Sequence, residues 1–554
     1  MVSIDQIALE VMRNQMSSIA EDMGVVLRVT AFSPNIKERV DCSAAVFTPE
    51  GEMLAQAEHI PVHLGSMPAS VEAVIERFGT EPEPSIQYAV NDPFHGGTHL
   101  NDLTLVRPVH VDGELVAWVG NRAHHADVGG EAPGSMPAHA TRVDQEGIVV
   151  APMVAVRDSQ WAEAFLQPFL AATRTPAERR GDLAAQLGAN EAGAIRLADL
   201  IERYGVARYR SMTGGLMSYG ERRMRSAIAA LPDGSAEFSD YMEWKGDLIP
   251  ITVEITVSGD ELVADLSRSA GQVQGNINAV RAVTGSCLSY AVRVATDPTI
   301  PATGGAHRPL RLVTTPGSIV DAVAPVAVAA GNVETSQRIS DAMLGALAPF
   351  APDRVPAAGQ GTMNNVLIGN ENFAYYETVA GGQGARPRRD GQSGIQTGMT
   401  NTKNTPITSL DAHYPFTITR YKLRTNSGGT GAYQGGDGIE RGIRFDAPAT
   451  VSLMGERRLT VPWGLSGGGD GAAGEDWLIR AGGDRTQLPS KCTVEVEPGD
   501  ELVVLTPGGG AHGPKAANPG FAATETVRSG PQFEGLAGSS SRTERNESTT
   551  ESGV

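Results

Sequence analysis

The sequence predicts an α+β, multi-lobed fold with an N-terminal α/β region, a helical segment and a β-rich C-terminal half. Helix-spaced and strand-like apolar runs alternate over the first 155 residues. A charged helical pattern fills residues 156–235, and short β-like runs separated by glycines fill residues 236–515. Residues 516–554 have few large apolar side chains, so we predict a disordered tail there.

The N-terminal region opens with a predicted helix. Its apolar residues follow helical spacing: Ile4, Ile7, Val11, Met12, Ile19, Met23, Val26 and Leu27. The stretch "DCSAAVFTPEGEMLAQA" then predicts two short strands around Pro49-Glu50-Gly51. "SMPASVEAVIERFG" predicts a second helix, with Ser66 near its start and Gly79 at its end.

A hairpin is predicted in "LTLVRPVHVDGELVAWVGN", where Asp112-Gly113 joins two alternating runs. A two-residue turn at that point would place Asn101 opposite His124, with His99 diagonal to His124 on the same face. Diagonal neighbours lie roughly 7–8 Å apart at the backbone, within reach of one shared metal ion.

Two neighbours of these histidines depend on the local backbone for their orientation. Alternation turns His125 to the other face of the strand. Asp102 faces inward with His99 only if a glycine-rich bend through Gly96-Gly97 replaces extended backbone.

Histidines are concentrated in this region, because eight of the 11 lie between His59 and His139. A further carboxylate, Asp41 in "ERVDCSAAVF", precedes an apolar strand, where an unpaired charge is costly to bury. Metal binding and ordinary hydrogen-bonded loop histidines both remain open from the residues alone. Cys42 is expected to be buried on the opposite face of its strand rather than to act as a thiolate ligand.

The middle and C-terminal regions contain no nucleotide-binding signature. The pattern is helical from Trp161 to about Leu231 and β-like from about Phe238 to Val504, apart from the helix-like "TSQRISDAMLGAL". "GGTGAYQGGDG" and "TPGGGAHGP" lack the spacing of a phosphate-binding loop. We predict that both are tight turns that need glycine for positive φ.

Charge and composition exclude several classes of partner. The 45 basic and 64 acidic residues give a formal net charge of −19, which disfavours nucleic acid and anionic membranes. No signal peptide or membrane-spanning apolar run is present. The three cysteines give no disulfide framework, so we expect a cytoplasmic protein.

Seven collinear motifs resemble the hydantoinase B/oxoprolinase family, from about Ile4 to Pro514. This family includes subunits of ATP-dependent hydantoinases, lactamases of the caprolactamase and oxoprolinase type, and large subunits of acetone and acetophenone carboxylases. The motifs are "NDPFHGGTHLNDLTLVRPVH", "NRAHHADVGGEAPGSMP", "RGDLAAQLGANEAGAIRL", "GNVETSQRISDA", "GGQGARPRRDG", "TNTKNTP" and "SGGTGAYQGGDGIER".

The resemblance implies one divalent metal, expected to be zinc, with manganese and iron as alternatives. The matching motifs carry over four metal ligands, namely Asp41, His99, Asp102 and His124. By the same resemblance, His125 and Asp127 are candidate catalytic residues that orient the ligands or carry protons.

The implied function is metal-dependent hydrolysis within an ATP-dependent cyclic-amide hydrolase that acts on a hydantoin, a lactam or oxoproline. A hydantoinase A-type partner would bind ATP and phosphorylate the substrate, so we expect a hetero-oligomer. One alternative is a subunit of an ATP-dependent, biotin-independent carboxylase of the acetone or acetophenone type. Another is a non-catalytic scaffold whose metal is only structural.

Overall fold

A computed structural model of the chain describes residues 6–57, 60–63 and 65–515. The predicted α+β class is confirmed, because helices and four separate sheets alternate through these residues. The α-helices of the described residues are α1 (Gln6–Thr30), α2 (Pro34–Lys37), α3 (Met67–Phe78), α4 (Glu163–Ala172), α5 (Pro176–Tyr204), α6 (Val206–Ile228), α7 (Arg281–Ala295), α8 (Gly304–His307), α9 (Ser336–Leu347) and α10 (Ile407–His413).

The strands of the described residues fall into four sheets. The seven-stranded N-terminal sheet has the order β2-β1-β5-β4-β3-β6-β7. The other sheets have the orders β11-β10-β9-β8, β13-β12-β16-β19 and β14-β15-β20-β17-β18. The bounds are β1 (Cys42–Phe47), β2 (Met53–Gln56), β3 (Ile86–Val90), β4 (Asp102–Val111), β5 (Glu114–His124), β6 (Met153–Arg157), β7 (Gln160–Trp161), β8 (Gly234–Trp244), β9 (Asp247–Ser258), β10 (Glu261–Asp265), β11 (Leu310–Val313), β12 (Asn365–Gly369), β13 (Ala374–Thr378), β14 (Phe416–Arg424), β15 (Gly438–Phe445), β16 (Ala449–Met454), β17 (Glu475–Ile479), β18 (Arg485–Leu488), β19 (Lys491–Val496) and β20 (Glu501–Leu505).

Both faces of the N-terminal sheet are buried, which explains why β1 is apolar without interruption. On one face Val46 packs in a core with residues of α1 and α5, including Met12 and Leu197. On the other face Phe47 packs in a core with Val71 of α3. Every residue of β1 is buried, Cys42 included, as expected from the sequence.

The predicted first helix is confirmed as α1, although its apolar spacing does not define one buried face. Met23 and Leu27 are fully buried, whereas Ile7 and Val11 are 73% and 44% exposed. Ile4 lies outside the described residues.

The predicted hairpin is present as β4 and β5, but its predicted register is wrong by one residue. Val111 pairs with Glu114 across the turn as expected, and a bulge next to Val109 then shifts the pairing. Asp102, rather than Asn101, therefore lies opposite His124. A bulge of this kind leaves the alternation of apolar residues almost unchanged, so the sequence pattern could not reveal it.

One helix in the β-rich half is missed by the sequence prediction. Residues Arg281–Ala295 form α7, although the β-branched and small residues of "RAVTGSCLSYAVRVA" give a β-like pattern. Val283, Cys287 and Val292 of this helix are buried in the largest core. Tertiary packing has overridden local propensity here.

The predicted helix in "TSQRISDAMLGAL" is confirmed as α9. It is preceded without a break by a single π-helical turn, Gly331–Thr335.

The glycine-rich stretches are not the predicted positive-φ turns. Segments 381–384, 428–438 and 508–510, which we call the glycine bundle, pack backbone against backbone. Gly509 N–H donates to Gly436 O at 2.9 Å, and Gly436 N–H donates to Gln383 O at 2.9 Å. A Cβ on Gly509 would lie 2.1 Å from Gln383 O. Glycine is needed in the bundle because the segments approach too closely for a side chain, and neither Gly436 nor Gly509 has positive φ.

The largest hydrophobic core draws residues from all three predicted regions. Leu103, Phe169 and Ile255 all belong to it. The proposed boundaries at residues 155 and 235 remain predictions, and the predicted tail at 516–554 lies outside the described residues. Among the helices that the structure describes, none combines the length and the apolar character that a membrane crossing requires.

We predict that Gly509→Ala destabilises the fold by about 1–3 kcal/mol or more, because a methyl group would be forced against the Gln383 carbonyl. The measurement is the midpoint of urea unfolding. Gly482→Ala is the matched control, since a Cβ there meets nothing within 4 Å, and its effect should stay within about 0.5 kcal/mol. Equal midpoints for the two variants would contradict the close-approach explanation.

Candidate metal centre

Three adjacent strands of the N-terminal sheet bring candidate ligands to one edge. Asp41 directly precedes β1, Asp102 begins β4 and His124 ends β5. Because β5 lies between β1 and β4 and is antiparallel to both, these ends meet. The backbone N–H of His124 donates to the carbonyl oxygen of Asp41 at 3.0 Å.

A turn before β4 brings His99 to the same place. The N–H of Asp102 donates to His99 O at 3.1 Å, so the chain is bent rather than extended between them. Upstream, Gly96 has a φ of +93°, and a Cβ on Gly97 would lie 2.3 Å from Asn91 O. These two glycines allow the turn to pack against the preceding chain.

His99, Asp102 and His124 form a compact buried group. His99 Nε2 lies 3.0 Å and His124 Nδ1 lies 3.2 Å from Asp102 Oδ1. One ligand atom from each residue lies within 4.8 Å of the other two. Exposure is 0% for His99, 1% for Asp102 and 2% for His124.

The donor set of this group fits a metal ion. Within the described residues, both ring nitrogens of His99 and Nε2 of His124 lack a hydrogen-bond partner. Buried polar atoms are rarely left unpaired, because each costs about 1–3 kcal/mol. Nitrogen lone pairs beside a carboxylate are ligands that zinc and similar divalent ions take.

The electrostatics of Asp102 also favour a cation. Burial by itself would raise the pKa of this carboxyl group, but the charge on His99 and the contacts with His124 and His63 hold the pKa well below its ordinary value. The group is therefore a buried carboxylate that requires nearby positive charge.

Two side chains that hold Asp102 carry no assigned role from the sequence. His63 Nε2 lies 3.4 Å from Asp102 Oδ2, and its Nδ1 lies 2.8 Å from Ser43 Oγ. Asn332 Nδ2 donates to Asp102 Oδ2 at 3.2 Å, while its own Oδ1 has no partner among the described residues. The concentration of histidines is a signal that could have identified His63. Asn332 lies in the π-helical turn, a feature frequent at functional sites but absent from simple periodicity.

An aromatic side chain from another sheet covers His124. The ring of Tyr376 on β13 stacks on it with centroids 4.6 Å apart, and its hydroxyl donates to Asn365 Oδ1 at 2.7 Å. Arg39 donates to Tyr376 O at 2.6 Å and to Thr378 Oγ1 at 2.8 Å. The centre is thus built between the N-terminal sheet and the β13-β12-β16-β19 sheet.

A small cavity of about 20 Å³ adjoins the group, which is room for about one water molecule. Asp41, Asp102, His124 and Asn332 are among the residues that line it. Asp41 is 7% exposed and lies in the cavity wall, outside the compact group of three. Its assignment as a fourth ligand remains a prediction.

The two candidate catalytic residues lie in different surroundings. His125 Nε2 lies 2.9 Å from Gln186 Oε1, and burial lowers the pKa of His125 to about 4. Asp127 accepts hydrogen bonds from the backbone of Gly129 and Gly134 and from the Arg174 guanidinium. These contacts organise the chain next to the centre, and the catalytic roles remain predictions.

The sequence model of the hydantoinase B/oxoprolinase family matches residues 5–515. The chain belongs to this family. A relative of unknown function from Methanocaldococcus jannaschii is 40% identical over 92% of this hydantoinase B/oxoprolinase chain and 91% of its own length. 5-Oxoprolinase 1 of Arabidopsis thaliana is 36% identical, but the match spans only 42% of the plant protein. A putative subunit of a D-/L-hydantoinase from a Pseudomonas species is 29% identical over 92% of the chain and 90% of its own length.

Two solved structures resemble this hydantoinase B/oxoprolinase chain. The ATP-dependent caprolactamase of Pseudomonas jessenii has a TM-score of 0.87 at 27% identity and covers 92% of both chains. A nucleotide-free acetone carboxylase has a TM-score of 0.85 and covers 92% of this chain and 76% of its own. At 16% identity the second likeness shows the fold alone.

We predict that the purified chain carries one divalent metal and that His99→Ala, Asp102→Asn and His124→Ala each lose most of it. Each substitution removes one of the three converging ligand atoms. Elemental analysis of the folded proteins is the measurement. His95→Ala is the control, because the side chain of His95 is 68% exposed and bonds to Asp92 instead. Full metal content in His124→Ala would refute its assignment as a ligand.

Proposed function

We propose that this chain is the metal-dependent hydrolytic subunit of an ATP-dependent cyclic-amide hydrolase. The substrate class is a hydantoin, a lactam or oxoproline. The observation that carries the proposal is the buried group of His99, Asp102 and His124, with unpartnered nitrogens beside a cavity large enough for water. Membership of a family that includes 5-oxoprolinases supports it.

The proposed ligands are Asp41, His99, Asp102 and His124, and zinc is the expected ion, with manganese and iron as alternatives. Nitrogen and oxygen ligands next to a water-sized cavity suit a catalytic site better than a closed structural one. When bound, a divalent ion supplies Lewis acidity and lowers the pKa of water at the site.

The chain's own residues would hold and orient the reacting groups. Asp102 fixes the two histidines by contacting both through one oxygen. Asn332 lines the cavity and has an unpartnered Oδ1 that can accept a hydrogen bond from a water there. Tyr376 and Arg39 cover the histidine side and exclude bulk water.

For His125 and Asp127 we propose a positioning role. The N–H of His125 donates to Asn101 O at 2.8 Å, and Asn101 Nδ2 donates back to His125 O at 2.9 Å. Asp127 holds the N–H of Gly134, whose carbonyl accepts a second bond from Asn101. Both residues therefore fix the turn that presents His99, a kind of support whose loss typically costs about 10–100-fold in metal affinity or activity.

We propose that a separate hydantoinase A-type partner binds ATP and phosphorylates the substrate before it reaches this chain. A relative that is a putative hydantoinase subunit and an ATP-dependent caprolactamase support a partner. The plant 5-oxoprolinase, of which the match spans 42%, is long enough to hold both functions. In this chain the amides of Gly429, Gly436 and Gly509 are bonded within the glycine bundle and are not free to bind phosphate.

We predict that, in the complex with its partner, His99→Ala and His124→Ala abolish cyclic-amide hydrolysis while ATP-dependent phosphate release persists. The two reactions separate because phosphorylation would occur on the other subunit. Product formation and phosphate release are measured side by side, with His95→Ala as the control. The chain alone should release no phosphate from ATP. Hydrolysis retained by a metal-free His124→Ala variant would refute the proposal.

A further inference from the structure

A second cavity, which we call the chamber, adjoins the metal cavity. It has a volume of about 310 Å³, and Thr400 lines both spaces. Pro61 lines the chamber, while its chain neighbours Ile60 and Val62 line the metal cavity. The two spaces are therefore separated by a thin wall.

The sizes of the two cavities assign them different contents. About 20 Å³ beside the candidate ligands accommodates water but not a five- or seven-membered ring. The chamber reaches the lower end of the range of small-molecule sites, about 300–1,000 Å³. A cyclic amide acted on at the metal centre can thus be held in the chamber, with only its reacting atom directed at the wall.

Gln396 connects the chamber to the metal cavity. Its Nε2 donates to Thr378 Oγ1 at 3.1 Å, and Thr378 lines the metal cavity. Its Oε1 is buried and has no partner among the described residues. Ser340, 1% exposed and also in the chamber wall, has an equally unpartnered Oγ. An amide N–H and C=O would satisfy these two atoms.

The uncompensated charge of the chamber is positive. The carboxylate of Asp341 is engaged by Arg457 at 2.9 Å and by Arg338 at 3.4 Å. Arg386 also lines the chamber, and its guanidinium has no hydrogen-bond or ion-pair partner among the residues that the structure describes. An anionic group on the ligand would provide that partner.

We propose that the chamber binds the anionic form of a cyclic-amide substrate, a ring that carries either a phosphoryl group or a carboxylate. Arg386 anchors the anion, and Gln396 and Ser340 hydrogen-bond the amide and aim it at the metal cavity. This assignment rests on the proposed function. It adds where the ring lies and which charge it carries.

The first test measures turnover of 5-oxoproline by the complex of this chain and its ATP-binding partner. Arg386→Met and Gln396→Leu should each raise KM by about 10–100-fold, because a charge-assisted or buried hydrogen bond is lost. The bound metal should stay unchanged. Arg389→Met is the matched control, since Arg389 is exposed three residues away, and its KM should equal that of the wild type. Unchanged KM in Arg386→Met and Gln396→Leu overturns the proposal.

The second test measures binding to the zinc-loaded full chain without its partner, so that it does not depend on turnover. The probes are L-5-oxoproline, 2-pyrrolidinone, which has the ring without the carboxylate, and inorganic phosphate. Saturable 5-oxoproline binding that Arg386→Met weakens and Arg389→Met preserves supports the chamber. Displacement by phosphate then assigns the phosphoryl group to Arg386, and no displacement assigns the ring carboxylate. Absence of saturable binding by the wild type, or equal binding by Arg386→Met, overturns it.

Ser340→Ala is the second variant if Gln396→Leu does not fold, and it should weaken binding of both ring probes. The proposed function and the chamber can fail separately. Hydrolysis that survives His124→Ala removes the function and leaves the chamber to the binding data. Hydrolysis abolished by His124→Ala, with normal KM and binding in the chamber variants, removes the chamber alone.

Discussion

The carboxylate of Asp102 is the contact on which the arrangement of this centre depends. Its two oxygens lie against His99, His124 and His63, and they accept hydrogen bonds from Thr98 and Asn332. Leaving a carboxylate buried without positive charge would cost several kcal/mol. The position of every group around it is therefore tied to the cation that the histidines can hold.

The scaffold supplies these groups from segments that are remote in sequence. Asn332 lies 230 residues from Asp102, and Tyr376 comes from a different sheet than the histidine it covers. Such distant segments stay in register only if the second half of the chain packs rigidly against the first. The glycine bundle contributes to that rigidity, because backbone segments without side chains can bond directly to one another. Three of its residues and neighbours, Ala358, Gly384 and Gln396, also form the chamber wall.

Local patterns in the sequence predict the elements that depend on local physics. The spacing of apolar residues predicts α1 and α3, and Asp112-Gly113 predicts the β4–β5 hairpin. The same hairpin brings His99 and His124 together even though its register is shifted by one residue. The shift places Asp102 opposite His124, a pairing that alternation alone would have given to Asn101.

Features that depend on tertiary packing were not accessible in this way. The bulge next to Val109 leaves almost no trace in the pattern, and α7 has the composition of a strand. The glycines of segments 428–438 and 508–510 suggest turns, because the sequence does not show which backbone will lie beside them. The roles of Asn332 and Tyr376 likewise emerge only when distant segments meet.

The most direct test of the central claim is anomalous diffraction from crystals of the zinc-loaded chain, recorded above and below the zinc absorption edge. The account predicts one peak at about 2.0–2.2 Å from a ring nitrogen of His99, a ring nitrogen of His124 and a carboxylate oxygen of Asp102. A zinc peak bound elsewhere in the chain, with these three side chains unliganded at saturating zinc, would contradict it.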